Sequence, residues 1–517
     1  DAVQRKLGHQ LPPGKMIVDR QKLASVWSDL GKLRNRIDGL GMLELNLRQQ
    51  GYAKPMLVNH NSGGMAQLNS TDALQTVHSG PVSGIAATEF LAAAAELGNV
   101  VATDMGGTSF DIGIVVQGDL KYYDFNPVID RWLVSVPMVH LRALGAGGGS
   151  IARYDRMYKT VEIGPKSAGS DPGPAAYDRG GQFPTVTDAD LLLGYLDPRN
   201  YANGHILLNP RRARQAVRDN LCDELGLDEI EVAKLIKKQV DASMANGIAT
   251  ELRTRGYEPK DFTVLAYGGN GPLHACGIAS ALGITKVLAP PYSSTFSACG
   301  AGNVSQMHIH EMNTWMVLFN PNTKAFFSDY DTFNCSVEEL EQRGRIDLER
   351  QGMNPADIRY RLEVDMRYGN QRVQTAVVTH LSRMKGQRDV LELMDQFHER
   401  YGERFGKGSQ SPETGVRINT IRVCAYVDQA RVKFARLAIT GDAKAPPPPV
   451  GSRPCHFVGH DGAIDTPVYD DRARAEGTQI DGPAIVTTRV TTYLVEPGWT
   501  FRAVAQGGAW FIRNTSH

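Results

Sequence analysis

The chain has 517 residues, enough for roughly two to four domains and a substantial core. Lysine plus arginine equals aspartate plus glutamate, at 56 each, so no net field draws it to nucleic acid or acidic lipid. The six cysteines (Cys222, Cys276, Cys299, Cys335, Cys424 and Cys455) are scattered without a CxxC pair. That argues against a disulfide framework or zinc knuckle and fits a reduced, cytoplasmic protein.

Residues 1–76 open with helical stretches such as Leu23 to Leu47, then an apolar strand at Met56-Leu57-Val58. The most apolar stretch, Ile85 to Ala102, is interrupted by Glu89 and Glu96. It reads as a helix followed by a strand, not as a membrane span. Val100-Val101-Ala102 then leads into Asp104-Met105-Gly106-Gly107-Thr108-Ser109-Phe110-Asp111, and Ile112 to Val116 follows. This layout predicts strand, tight glycine turn, strand. Two glycines let backbone approach an anion and adopt φ > 0. Successive N–H groups in such a turn make a concavity that suits phosphate. Thr108 and Ser109 add hydroxyl donors, and Asp104 and Asp111 can hold Mg²⁺ through water. An ordinary Gly-Gly hairpin has the same layout, and no Walker loop occurs.

Gly145 to Gly149 either closes over a ligand or marks a close approach of two elements. Thr185 to Asp190 places Asp188 and Asp190 just before Leu191-Leu192-Leu193. Its simplest reading is a helix N-terminus with favourable acids; a metal or nucleotide role is the alternative. An amphipathic helix is expected from Ile230 to Arg255, with Val232, Leu235, Ile236, Val240, Met244, Ile248 and Leu252 on its apolar face. Phe262 to Leu265 reads as a strand and Cys276 to Leu282 as a helix. Between them lies Ala266-Tyr267-Gly268-Gly269-Asn270-Gly271-Pro272-Leu273-His274-Ala275. A glycine turn between strand and helix is how backbone meets a nucleotide at a helix N-terminus. His274 there either touches ligand or caps the helix. Residues 77–310 thus form an α/β lobe.

The pattern changes over 311–440. Ile358 to Tyr368, Gln374 to Leu381 and Thr420 to Val427 read as strands and Arg388 to Phe405 as a helix, an α+β module. Pro446 to Pro449 makes a stiff connector. Short β-type runs at Ala484 to Thr488, Thr491 to Val495 and Trp510 to Ile512 place a small β-domain in 441–517. His308-Ile309-His310-Glu311 resembles a metal cluster, but the histidines share a face only in a strand and no third ligand stands nearby. They read as a structural pair. No cysteine has a legible base partner, so none reads as a nucleophile.

In order, these motifs and several further blocks carry a family resemblance. The blocks are His78 to Gly84, Asp104 to Asp111, Leu144 to Ser150, Gly164 to Pro174, Thr185 to Asp190, Tyr267 to Ala275 and Asp481 to Ile485. The chain resembles the A-type subunits of the hydantoinase, 5-oxoprolinase and ketone carboxylase group, which is similar to the actin-like ATPases. The resemblance implies an α/β fold with actin-like ATPase lobes, of which 1–76 is the remainder of the N-terminal one. It implies ATP and Mg²⁺ as cofactors. Phosphates would lie against Gly106, Gly107, Thr108 and Ser109, with Mg²⁺ on Asp104 or Asp111. Gly268, Gly269, Asn270 and Gly271 would border the nucleoside.

One departure stands out. Such ATPases carry a first phosphate hairpin, a Gly-Gly-Thr turn, and residues 1–100 contain none; Gly63-Gly64-Met65 is not followed by hydroxyl residues. The expectation is a chain without the first half of the N-terminal lobe, complemented by another chain, or a structural subunit with an incomplete ATP site. Lys166, Asp178-Arg179, the segment Asn126 to Val139 and Tyr493 to Trp499 look closer to acetone and acetophenone carboxylases than to 5-oxoprolinases. The resemblance therefore implies a small ketone and bicarbonate as substrates and a hydantoinase B-like partner subunit, with neither nucleic acid nor membrane. An ATP-dependent ring-opening amidohydrolase subunit is the alternative.

Overall fold

The computed structural model describes residues 38–116, 136–406, 408–428, 437–439 and 441–514, with the backbone of short strand pieces between 123 and 133. Most of the helical stretch expected at Leu23 to Leu47 therefore lies outside the described residues. Of the segment Asn126 to Val139, only 136–139 has described side chains.

An eight-stranded mixed sheet organises the α/β part. Its strand order is Gln479–Asp481, Trp499–Ala503, Ala509–Arg513, Lys286–Ala289, Thr263–Tyr267, Asn99–Met105, Phe110–Val116 and Arg142–Leu144. At its centre Thr263–Tyr267 pairs in parallel with both Asn99–Met105 and Lys286–Ala289. Burial on both faces explains their continuous apolar runs, Val100 to Ala102, Val264 to Ala266 and Val287 to Ala289. Val100 and Ala102 pack with Val82, Ile85 and Leu91 of the helix Ser79–Ala94. Val101 and Met105 pack instead with Val232, Ile236, Val240, Met244 and Ile248 of the long helix Glu229–Arg253. The long helix starts where expected because the Asp228 side chain accepts from the backbone N–H groups of Ile230 and Glu231.

The strand Arg142–Leu144 is fastened to the long helix by charge. Glu251 accepts from His140 at 3.0 Å, from Arg142 at 2.9 Å and from Arg255 at 2.6 Å. Burial alone would raise the pKa of Glu251, but these partners outweigh it and bring it down to about 2. A carboxylate with a depressed folded pKa adds stability above its unfolded pKa and loses it as pH falls through the folded value. The clamp is therefore complete above pH about 4.5 and lost toward pH about 2. Denaturant unfolding of wild type and Glu251→Gln checks this: their stability difference should be large at pH 6 and shrink steeply below pH about 4.

The α+β part is a six-stranded sheet whose order runs Leu57–Asn59, Met65–Gln67, Gln306–Phe319, Val416–Val427, Arg359–Tyr368 and Thr375–Thr379. Helices Tyr330–Arg350 and Gln387–Phe405 share one core with it, including Phe333, Leu340, Val364, Met366, Leu393 and Phe397. His308 and His310 do share a strand face, with ring centroids 6.5 Å apart. His308 faces Gln351 and His310 bonds Asp347 at 2.9 Å, and no group of three or more metal-type ligands occurs among the described residues.

The C-terminal β-elements divide their pairing. Gly451–Cys455, Ile464–Tyr469, Ala484–Thr487 and Thr492–Val495 form a small four-stranded sheet. The three others extend the central sheet. Among the described residues, no helix is long and apolar enough to cross a membrane.

Candidate functional site

Two glycine turns meet at the carboxyl ends of adjacent parallel strands, the position where open α/β sheets bind ligands. Tyr267 and Asp104 are register partners in that parallel pair, so each strand delivers its turn to the same place. The first turn joins Asn99–Met105 to Phe110–Val116 and closes with the Gly106 N–H donating to Ser109 O at 3.1 Å. Gly107 and Thr108 are exposed at its tip, and nothing lies within 4 Å of where a Cβ would stand on Gly106 or Gly107. The second turn leads into the helix Gly271–Leu282.

Asp104 and Asp111 are direct cross-strand partners on the hairpin. Like charges opposed in this way repel. Asp104 accepts from Ser297 Oγ at 3.0 Å and Asp111 from Ser109 Oγ at 3.0 Å, both neutral donors. Burial raises the pKa of Asp104, with the Ser297 hydrogen bond opposing. Burial also pushes Asp111 up to about 6, with Ser109 opposing and the charge on Asp104 adding to the rise. Two under-compensated carboxylates beside an open turn of backbone N–H groups fit a divalent cation paired with a polyphosphate.

The two turns hold each other. The Asn270 N–H donates to Met105 O and the Asn270 Nδ2 to Gly106 O, both at 3.1 Å. Gly268 has φ +86°, and a Cβ on it would collide with Asp104 Oδ1 and Met105 O. No other residue type fits that approach without displacing the carboxylate. Gly268 and Gly271 are therefore buried packing positions, whereas Gly269 is exposed. Thr491 of the C-terminal part donates to Gly269 O at 2.8 Å.

Gly145 to Gly149 is the third wall. The Gly148 N–H donates to Gly106 O at 3.1 Å and the Gly149 N–H to Gly107 O at 2.6 Å. A Cβ on Gly147 would stand 2.7 Å from Thr108 N. The loop is a close approach of two elements, and it borders the open turn. Thr187 fixes it from behind, donating to Gly148 O from N at 2.8 Å and from Oγ1 at 2.9 Å.

Asp188 behaves as a helix-start acid: it accepts from Thr185 and from the N–H groups of Ala175 and Ala176. Asp190 lies beyond the first turn of its helix and His274 lies inside its own rather than at the cap, so neither is a helix-start group. His274 is fully buried, with Nδ1 2.6 Å from Asp241 Oδ1 and Nε2 3.3 Å from Asp190 Oδ2. Burial opposes its protonation, but Asp190 and Asp241 outweigh burial and Lys237 and raise its pKa. Lys237 is buried as well, paired with Asp241 and 3.5 Å from Glu496 Oε1. Asp178 pairs with Arg212 at the surface, away from this chemistry. Thr187 lies within the Thr185 to Asp190 block but has no reading of its own, and Ser297 and Thr491 carry no local signal of a site; only the tertiary fold brings them here.

Residues 36–310 match the hydantoinase/oxoprolinase family model, and residues 323–504 match the hydantoinase/oxoprolinase C-terminal domain. The chain belongs to the hydantoinase/oxoprolinase family. Within it, the chain is 35% identical over 497 residues to the acetophenone carboxylase gamma subunit of Aromatoleum aromaticum, covering 96% of this chain and 66% of that one. It is 32% identical over 476 residues to the caprolactamase subunit alpha of Pseudomonas jessenii, covering 91% and 66%. The chain thus spans about two thirds of the length of these relatives. The crystal structure of the ATP-dependent caprolactamase from Pseudomonas jessenii superposes with a TM-score of 0.77 at 30% identity, covering 95% of this chain and 69% of that one. A nucleotide-free acetone carboxylase superposes with a TM-score of 0.75 at 23% identity, covering 92% and 66%, which establishes the shared fold. The relatives of this chain therefore include an acetophenone carboxylase subunit and a caprolactamase subunit.

Proposed function

We propose that this chain is the ATP-binding subunit of an ATP-dependent ketone carboxylase of the acetone or acetophenone type. The observation that carries the reading is the meeting of two glycine turns around Asp104 and Asp111 at the ends of paired parallel strands. Gly106, Gly107, Thr108 and Ser109 would hold phosphate, Asp104 and Asp111 would hold Mg²⁺, and Gly269 and Asn270 would border the nucleoside. ATP would supply a phosphoryl group that activates the oxygen of an enolate or of bicarbonate. The residues themselves would position phosphate and cation, and the Mg²⁺ they hold would supply the neutralising charge. Ser297 and Ser109 orient the two carboxylates. A hydantoinase B-like subunit is the proposed partner, since the carboxylase relative is itself a subunit.

The test supplies the native complex with ATP, labelled bicarbonate and either acetone or acetophenone. The expected result is label in an acid product, with ATP consumed only when ketone is present. The caprolactamase similarity favours a second reading, ATP-dependent opening of a lactam or other cyclic amide. ATP turnover that answers to 5-oxoproline, a hydantoin or caprolactam, and to neither ketone, would move the assignment there.

A further inference from the structure

His274 stands where two walls of the site are joined from below. The helix Val186–Leu192 carries Thr187, which grips the Gly148 carbonyl, and one turn on carries Asp190. The helix Gly271–Leu282 follows the second glycine turn and carries His274. The long helix supplies Asp241 and Lys237. His274 therefore links the helix behind loop 145–149 to the helix behind turn 268–271, with the long helix as a common anchor. Gly277 makes the anchor possible: a Cβ there would collide with Asp241 Oδ2.

We infer that His274 is a positioning residue for the nucleotide site, setting through Asp190 and Asp241 the spacing of the two walls that clasp Gly106. This rests on the nucleotide reading above. The clasp is concrete: the Gly106 carbonyl accepts from Gly148 on one side and from Asn270 on the other, so a change in wall spacing falls on the phosphate turn. Both ring nitrogens face carboxylates, an arrangement that asks the imidazole to carry two protons. The two joints are unequal. The bond to Asp241 is short and direct. The contact with Asp190 is ionic at 3.3 Å, neither Nε2 nor Asp190 Oδ1 makes a hydrogen bond among the described residues, and Asp190 is 2% exposed. A buried oxygen without a donor costs free energy, and a tie that served packing alone would gain by losing it. The unsatisfied joint lies on the side of loop 145–149, the wall that donates to Gly106 O and Gly107 O.

The experiment uses the native complex carrying wild-type chain, His274→Gln, Asp190→Asn, the double variant, or Val240→Ala. Val240 is a fully buried core residue of the same long helix and serves as the packing control. ATP·Mg²⁺ affinity is measured by calorimetry, and hydrogen exchange is followed in the peptide spanning 145–149. His274→Gln and Asp190→Asn should each weaken affinity at least about fivefold, a typical coupling between linked elements. Both should also speed exchange at 145–149, and the double variant should be no weaker than the worse single, because the two residues form one joint. Val240→Ala should lower the melting temperature while leaving affinity and exchange at wild-type values. Unchanged affinity and exchange in His274→Gln, or equal changes in Val240→Ala, would overturn the proposal and leave the nucleotide reading standing. Should His274→Gln fail to assemble, Asp190→Asn, which keeps the size of the side chain, decides by the same criteria. Failure of the wild-type complex to bind ATP·Mg²⁺ would sink the nucleotide reading and this proposal together.

Discussion

Replacing Asp104 with Ala is expected to abolish ATP hydrolysis by the native complex while leaving the fold intact. Asp104 stands one residue from the end of its strand, with a half-buried carboxylate that accepts from the Ser297 hydroxyl. Burial already disfavours its ionised form, with the Ser297 hydrogen bond opposing, and its charge in turn helps to raise the pKa of Asp111 across the hairpin. Removing it therefore relieves a repulsion, and stability should change by no more than about 1 kcal/mol. The same carboxylate is one of two proposed to bear the cation, so hydrolysis should fall by about 10²–10³-fold or more. Steady-state ATP turnover beside a thermal melt separates the two effects. Turnover at the wild-type rate would remove Asp104 from the site.

The largest effect on stability belongs to Lys237→Met. Lys237 and Asp241 sit one helical turn apart, and the ammonium is 1% exposed. Desolvation opposes the charge on Lys237, and Asp241, Glu496 and Asp190 together more than restore it. Taking the ammonium away leaves buried carboxylates uncompensated, which costs about 3–5 kcal/mol. Arg343 and Glu339 have the same i,i+4 spacing but are each 52% exposed. Such an exposed pair contributes about 0.3–0.5 kcal/mol, so Arg343→Ala should hardly move the unfolding midpoint. Urea titration of both variants makes the comparison; equal midpoints would mean that the buried cluster is not the keystone described.

What was legible in the sequence was local. The hairpin around Gly106 and Gly107, the turn at Gly268 to Gly271 and the long helix are each encoded within about twenty-five residues, by glycine placement, a capping acid and apolar periodicity. Asp188 was legible as a helix-start acid for the same reason. The rest depends on partners far along the chain. Ser297 reaches Asp104, Thr491 reaches Gly269, and Asp190 reaches His274, and no spacing rule links these positions. The motif that contains His274 drew attention to the histidine, but its burial between Asp190 and Asp241 was not legible, because both partners lie on other helices. The C-terminal strands around Ala484 to Thr488, Thr491 to Val495 and Trp510 to Ile512 were visible as strands. Their division between a small sheet and the central one was not, because pairing of Lys286–Ala289 with Ala509–Arg513 is a non-local choice.

That last pairing has a consequence for biosynthesis. Lys286–Ala289 has Thr263–Tyr267 on one side and Ala509–Arg513 on the other. While the ribosome is still producing the segment between them, the first strand waits with one row of backbone donors and acceptors unsatisfied. Such an open edge invites pairing with other chains. The intervening α+β module has its own core and is finished first, so it emerges as a folded body tethered beside an incomplete sheet. The interval before residues 509–513 arrive is when this molecule is most exposed to misassembly, and when a holding chaperone protects it most.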